Sequence, residues 1–529
     1  MRCVLNTVRC QSHSMKKSYD AIIIGSGFGG SMMAYQLVNA GMKVLMLERG
    51  STVKRSKEVN WGMQGSLELT PHYDKSSMLR VLKGGHKKEM GIYASVGGPS
   101  VFYGGVSFRF RAEDFESMPE IVGDSGAKWM YNYNEIEPFY SQAEQLLGIS
   151  GEAGVDPTEP FRSAPYPQGP AELADISKKV RRGAESMGLH PFQLPLAINY
   201  EDKSRATCIS CTTCDTYACA IGAKNDLATV LLPNLMLKGL EIRPNTVVTK
   251  LNVEGKSVTS VDCIAKETGE KMTFHADLVV SSAGAVGSPH ILLASGLEAY
   301  NPGGKTIGRY LMRHVNSIIF GIFPGVADKE NRFHKQLAIL DYYFEHPDSD
   351  LKKLGSLQQM PTPPMGLVQN EIPGPIGKLL SQGVRLLTGL LAIAEDQPNF
   401  ENYVGIDENN LDEYGLPQPV ISHTYSKRDE AAVKVLVKAG KKIMSKAGAL
   451  THYVHPIRTF SHAVGTVRMG DNPETSALDE NCQFRGLDNL FVVDGSFMPT
   501  SAAVNPSLTI SANALKVGQF IVEQRKKIV

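Results

Sequence analysis

The sequence predicts an α/β fold: a Rossmann-like domain joined to an α+β domain built on an antiparallel sheet. Three observations predict it. Residues 19–48 read as strand, glycine turn, helix and strand. A second apolar strand, 490–494, ends in a carboxylate near the C-terminus. Residues 316–425 read as strands separated by loops. The chain has 529 residues, which at about 150 per domain makes roughly three to four domain equivalents, or two large interleaved domains. With 42% apolar and 21% charged residues it has the composition of a globular protein. Lys+Arg 55 against Asp+Glu 54 leaves a net charge of +1, so composition offers no footprint for nucleic acid or an anionic membrane.

In order along the chain, 19–24 is a buried-strand run, 25–30 a turn, 31–39 a helix stopped at Ala40-Gly41, and 43–48 a second strand. A second glycine-rich stretch occupies 97–105. A helix is expected at 135–147, a Pro-rich and polar excursion over 150–200, and a helix near 227–238. Short strands fill 241–282. Within 316–425, the apolar run 376–394 reads as one helix, packed over a substrate pocket or serving as an entry for a hydrophobic substrate or a membrane contact. An amphipathic helix at 428–447 and a closing helix at 507–524 complete the pattern.

The chemistry starts at Gly25-x-Gly27-x-x-Gly30. Gly25 permits the tight turn, Gly27 lets backbone approach a pyrophosphate, and Gly30 lets helix and strand pack closely. The helix N-terminus then offers N–H groups and a positive dipole end to phosphate. Glu48 ends the next strand, where an acid binds a ribose diol and disfavours the 2′-phosphate of NADP. Asp494, followed by Gly495-Ser496, brings a second carboxylate back toward the cofactor, which suits a long ligand such as FAD better than NAD.

With these stretches in view, the chain from Tyr19 to about Ile521 resembles the glucose–methanol–choline (GMC) family of FAD-dependent oxidoreductases. The resemblance is carried by the opening βαβ unit, Gly97-Gly98-Pro99-Ser100-Val101-Phe102-Tyr103-Gly104-Gly105, Ala283-Gly284-Ala285-Val286-Gly287-Ser288-Pro289-His290-Ile291-Leu292, His462-Ala463-Val464-Gly465-Thr466, and Asp494-Gly495-Ser496 leading to Asn505-Pro506. It implies that Gly97, Gly98, Ser100, Tyr103 and Gly104 lie against the flavin ring, that the Gly284 turn and the backbone of Val248 sit on the adenine and pyrophosphate side, and that Asp494, Gly495 and Pro506 complete the cofactor site. Members that attach the flavin covalently use a histidine in this loop; here the nearby positions are Phe102 and Tyr103, so the resemblance implies non-covalent FAD. The catalytic pair implied is His462 with Asn505. An imidazole suits removal of a hydroxyl proton and, once protonated, stabilises a developing alkoxide. Asn505 can hydrogen-bond the substrate oxygen but cannot take its proton.

Cys208, Cys211, Cys214 and Cys219 are spaced C-x2-C-x2-C-x4-C. Thiolates so spaced can hold an iron–sulfur cluster or zinc, pair as two disulfides, or remain free. The spacing departs from the ferredoxin pattern, and some bacterial GMC dehydrogenases carry an iron–sulfur centre in this region. Cys263 and Cys482 read as buried single thiols. His452 and His455 read as surface residues, His314 as structural, and Glu395 as either facing the pocket or a solvated loop carboxylate.

The expected organisation is a leader over 1–18, with Met15 an alternative start; FAD-binding parts at 19–150, 201–315 and 455–529; an excursion at 151–200; and a substrate domain at 316–454. The expected reaction is oxidation of a primary or secondary alcohol (a sugar, aminoglycoside or polyol) with oxygen or an electron-acceptor protein as oxidant. A sterol or long-chain alcohol is the alternative substrate. An NAD-dependent dehydrogenase and a flavin/iron–sulfur electron-transfer module are alternatives of other classes. No secretory signal and no run of 18 apolar residues is present, so a cytoplasmic location without membrane contact is the default expectation.

Overall fold

The computed structural model describes residues 18–56, 72–85, 87–371 and 373–528. The expected leader lies outside the described residues, apart from Ser18. Three sheets organise the chain. The first has seven strands, in the order Glu241–Arg243, Val44–Leu47, Ser18–Ile24, Lys271–Ser281, Ser257–Ala265 and Thr246–Glu254, with Leu490–Val492 also pairing with Lys271–Ser281. Its centre is parallel: Ser18–Ile24 runs parallel to both neighbours, and Leu490–Val492 runs parallel to Lys271–Ser281. Ile22, Ile23, Val44, Leu45 and Met46 are fully buried, as a parallel sheet covered on both faces requires. The helices Phe28–Asn39 and Ser507–Ile528 pack against each other beside this sheet.

The second sheet is antiparallel throughout, in the order Thr451–Pro456, Val315–Ile322, Leu387–Ala394, Gly355–Met360, Leu337–Ile339 and Phe192–Gln193. The helix Lys427–Lys446, near the range expected, buries Ala432, Leu436, Ala439 and Ile443 against it. Its Ser426 N-cap accepts from the Asp429 N–H while the Asp429 carboxylate accepts from the Ser426 N–H, a reciprocal cap. The 150–200 excursion is anchored here through the helix Asp175–Glu185 and the strand Phe192–Gln193.

Two expectations are corrected. Residues 376–394 are not one helix: a short helix, Pro375–Ser381, gives way to a 3-10 turn and then to the strand Leu387–Ala394 inside the second sheet. A strand buried on both faces is a continuous apolar run, and such a run does not distinguish strand from buried helix. The strands of 316–425 also do not form one sheet. Tyr403–Leu411 and Pro417–Ser422 belong to a third, four-stranded sheet with Tyr73–Val81 and Glu89–Tyr93. Among the described residues no helix is long and apolar enough to cross a membrane.

Candidate active site

The glycine turn is built by close packing. Gly25 has φ +97°, and a Cβ there would strike the Ser282 carbonyl. A Cβ on Gly30 would strike the Gly25 carbonyl, and one on Gly29 the Val493 carbonyl, so the turn is pressed against the 282 and 493 strand ends. Gly27 differs: a Cβ there would lie 3.7 Å from Pro99 Cδ, so protein packing does not demand glycine at this position. Gly284 has φ +81° and open space before it. No side chain caps the helix that begins at Phe28, so its first amides face the turn. The Ser282 hydroxyl is buried here without a protein partner. This open, amide-lined cradle fits a pyrophosphate.

Glu48 is buried in the same place. Its Oε2 accepts from the Ser26 N–H (3.0 Å) and hydroxyl (2.6 Å), and its Oε1 from the Gly50 N–H (2.8 Å). Burial pushes its pKa up against these bonds. Val248 lies in the strand Thr246–Glu254, whose first N–H donates to the Glu48 carbonyl at 2.9 Å. Asp494 collects four donors: Gly284 N–H at 3.0 Å and the Ser288 hydroxyl at 2.5 Å on one oxygen, Ser496 N–H at 2.9 Å and its hydroxyl at 2.5 Å on the other. Gly495 accepts from the Gly465 N–H at 3.0 Å, joining this turn to the segment that carries His462.

The 97–105 loop rests on the same turn. The Gly97 N–H donates to the Ser26 hydroxyl at 2.9 Å, and a Cβ on Gly98 would come within 2.7 Å of Gly27 Cα. Ser100 donates to the Gly97 carbonyl at 2.6 Å and accepts from the Leu227 N–H at 3.1 Å. The Tyr103 ring meets Phe28 edge-on at 5.4 Å. Gly104 faces an ion pair the sequence reading did not single out, Lys335 with Asp215 at 3.0 Å.

His462 and Asn505 are brought together. Asn505 Nδ2 is 3.4 Å from His462 Nε2, and Asn505 Oδ1 accepts from Gln358 Nε2 at 2.9 Å. Pro506 is buried just before the helix Ser507–Ile528, so Asn505 projects from the helix entrance. The His462 pKa is pushed down to about 3 by burial, by neighbouring His314 and by the charge of Lys335. His314, expected to be structural, has its Nδ1 only 3.1 Å from His462 Nδ1. His452 is half-buried and His455 exposed, both on an edge strand of the second sheet.

Glu395 is neither pocket-facing nor solvated. It is fully buried, accepts from the Ala502 N–H at 3.0 Å, and lies 3.5 Å from Lys353, which also pairs with Asp114 at 3.0 Å. None of the four cysteines is paired in a disulfide. Among the described residues no three His, Cys, Asp or Glu side chains converge as metal ligands. Hydrogen bonds to its backbone hold the loop. Lys224 Nζ donates to the carbonyls of Tyr103, Cys214 and Tyr217 at 2.8–2.9 Å, and the Thr216 N–H to that of Phe102 at 2.8 Å. Burial pushes the Cys208 thiol up to about 11 and raises that of Cys214. Cys263 and Cys482 are buried single thiols.

Sequence profiles described as GMC oxidoreductase match residues 19–316 and 398–514. The chain is 30% identical to the 6'''-hydroxyparomomycin C oxidase of Streptomyces lividus, over 95% of this chain and 91% of that one. It is 31% identical to the paromamine 6'-oxidase of Streptomyces fradiae, with the same coverage, 95% and 91%. The pyridoxine 4-oxidase of Mesorbium loti shares the fold, with a TM-score of 0.66 at 19% identity over 95% of this chain and 98% of that one. The chain belongs to the GMC oxidoreductases, FAD-dependent enzymes acting on CH–OH donors.

Proposed function

We propose that this enzyme oxidises a primary alcohol on an amino sugar or similar polyol to the aldehyde, holds FAD non-covalently and passes the electrons to oxygen. The observation that supports the catalytic reading is the approach of Asn505 Nδ2 to within 3.4 Å of His462 Nε2, from 43 residues away in the sequence. The amino-sugar substrate and the oxygen acceptor rest on the two relatives at 30% and 31% identity, named as a 6'''-hydroxyparomomycin C oxidase and a paromamine 6'-oxidase. Non-covalent binding rests on Phe102 and Tyr103 in the loop and on the absence of histidine from 97–105. When bound, FAD supplies the hydride acceptor.

In this reading the Gly25–Gly30 turn and the helix amides hold the pyrophosphate, Glu48 the ribose diol, Val248 the adenine edge, and Gly97, Gly98, Ser100, Tyr103 and Gly104 the ring. Asp494 and Ser288 fix the Gly284 turn, with Gly495 and Pro506 closing the site. His462 Nε2 takes the hydroxyl proton of the alcohol. Asn505, locked by Gln358, donates its N–H to the substrate oxygen. The lowered pKa keeps His462 neutral at rest. As hydride leaves the carbon, the hydroxyl acquires the acidity of a protonated carbonyl, so a weak base suffices to accept its proton.

Two results are expected. Glu48→Ala leaves the buried Ser26 and Gly50 amides unpaired, at about 1–3 kcal/mol for each group, and flavin content after gel filtration falls severalfold; unchanged occupancy would remove Glu48 from the cofactor site. The second concerns pH. A base whose pKa is pushed down to about 3 stays deprotonated well below neutrality. The rate of anaerobic flavin reduction therefore stays level from pH 8 down to at least pH 6, as measured by stopped-flow. An acid limb centred at or above 6.5 would contradict this environment for His462. The reading as a whole is tested by supplying an amino-sugar primary alcohol and measuring aldehyde and hydrogen peroxide in equal amounts.

A further inference from the structure

We propose that His314 is a positioning residue that fixes the tautomer of His462, so that His462 presents a bare Nε2 to the substrate; this rests on the reading of His462 as the base. His314 Nε2 lies 3.0 Å from the Ser501 carbonyl, which can only accept, so this nitrogen carries a proton. Burial, opposed by the charge of Asp396 and by the Ser501 and Ala502 backbone, lowers the His314 pKa from its ordinary value, which favours the neutral ring at neutral pH. Its Nδ1 is therefore a lone pair. That lone pair faces His462 Nδ1 at 3.1 Å, so the proton in this contact belongs to His462 Nδ1. A neutral imidazole holds one such proton, so His462 Nε2 is unprotonated and accepts from Asn505 Nδ2 at 3.4 Å.

The backbone of His314 is held as firmly as its ring. It adopts φ +60°, a left-handed conformation uncommon for a residue with a Cβ, and Ala502 on the facing segment adopts φ +53°. Asp396 holds the turn by accepting from the N–H groups of Arg313 (2.8 Å) and His314 (3.0 Å) and from the Ser501 hydroxyl (2.9 Å). Tyr425 donates to the His314 carbonyl at 2.8 Å. The other ionisable groups acting on the pair are His423, 3.5 Å from Asp396; Asp114, whose charge reaches His314; and Lys335, whose charge reaches His462. A strained turn constrained at its N–H groups, its carbonyl and both ring nitrogens marks a side chain whose direction matters.

The test needs no variant to begin. In the wild-type holoenzyme labelled with ¹⁵N-histidine, long-range ¹H–¹⁵N spectra should show His462 as the Nδ1–H tautomer and His314 as Nε2–H, with resonances identified by their loss in His462→Gln and His314→Asn. His462 as Nε2–H would overturn the proposal. In kinetics, His314→Phe should lower anaerobic flavin reduction by about 10²-fold or more with substrate Kd changed less than threefold (roughly, the resolution of such titrations). His314→Asn places an acceptor oxygen near the lost Nδ1 and tolerates positive φ, so it should recover most of that loss. Equal losses in both variants, or none in either, would assign His314 a packing role only. The two readings fail separately. If His462→Ala keeps its rate, His462 is not the base, whatever its tautomer; if His462→Ala is inactive while His462 is Nε2–H, only the role of His314 falls.

Discussion

His462→Ala should lower the rate of flavin reduction by the alcohol by about 10²–10⁴-fold, the contribution of a positioned general base, while leaving the FAD bound. The separation of these effects follows from where the residue sits. His462 contacts His314 and Asn505, whereas the groups that hold the turn together are Glu48, Ser26, Asp494 and Ser288, none of which it touches. Flavin content and absorbance should match the wild type, and the loss should appear in single-turnover reduction under anaerobic conditions. A variant that still reduces its flavin within a few-fold of the wild-type rate would show that the proton goes elsewhere. Loss of flavin together with activity would show that His462 holds the cofactor site together.

Lys353→Met should cost about 3–5 kcal/mol, the penalty for removing one partner of a buried ion cluster. Lys353 is 1% exposed, and both carboxylates it pairs with, Asp114 and Glu395, are fully buried. Burial alone would lower its pKa, but the two carboxylates outweigh that and raise it, so it is charged at neutrality. Without it two carboxylates face each other with no cation between them, and Glu395, whose pKa burial already raises, takes up a proton. The consequence reaches the active site. Glu395 accepts from the Ala502 N–H, Tyr343 bridges Asp114 (2.7 Å) to the Ala503 N–H (3.1 Å), and Ser356 donates to the Ala503 carbonyl at 2.8 Å. This cluster is the floor under Asn505. Thermal unfolding should move down by several degrees, and kcat should fall even in protein that remains folded. Lys353→Arg should recover part of the stability. A Lys353→Met protein with unchanged stability and rate would mean that the 502–505 segment is held by its backbone alone.

The parts of the molecule legible in the sequence are those where backbone geometry restricts residue type locally. The Gly25–Gly30 turn is one: a Cβ on Gly25, Gly29 or Gly30 would strike backbone, and the strands on either side are short continuous apolar runs bounded by the turn. Glu48 and Asp494 were legible because each ends such a strand. The helix at 427–446 was legible from its amphipathic period. The rest depends on distance along the chain. The strand Leu387–Ala394 is apolar on both faces, so its sequence shows no alternation, and only its two antiparallel neighbours make it a strand. His314 stands 148 residues from His462, and nothing near it in sequence hints at that contact. Glu395 reads as a loop carboxylate until Lys353 and Ala502 are brought to it. The four cysteines lie close in sequence, but nothing in that spacing hints that Lys224 Nζ donates to the Cys214 carbonyl or the Thr216 N–H to that of Phe102.

The most direct test of the account is anaerobic mixing of the purified holoenzyme with an amino-sugar primary alcohol, protiated and then deuterated at the carbinol carbon, while flavin absorbance is followed. The account predicts full bleaching of the flavin in a single turnover, slowed severalfold by deuterium (a primary isotope effect on the step that His462 assists). A flavin that stays oxidised in the presence of this and other CH–OH donors, although tightly bound, would contradict it.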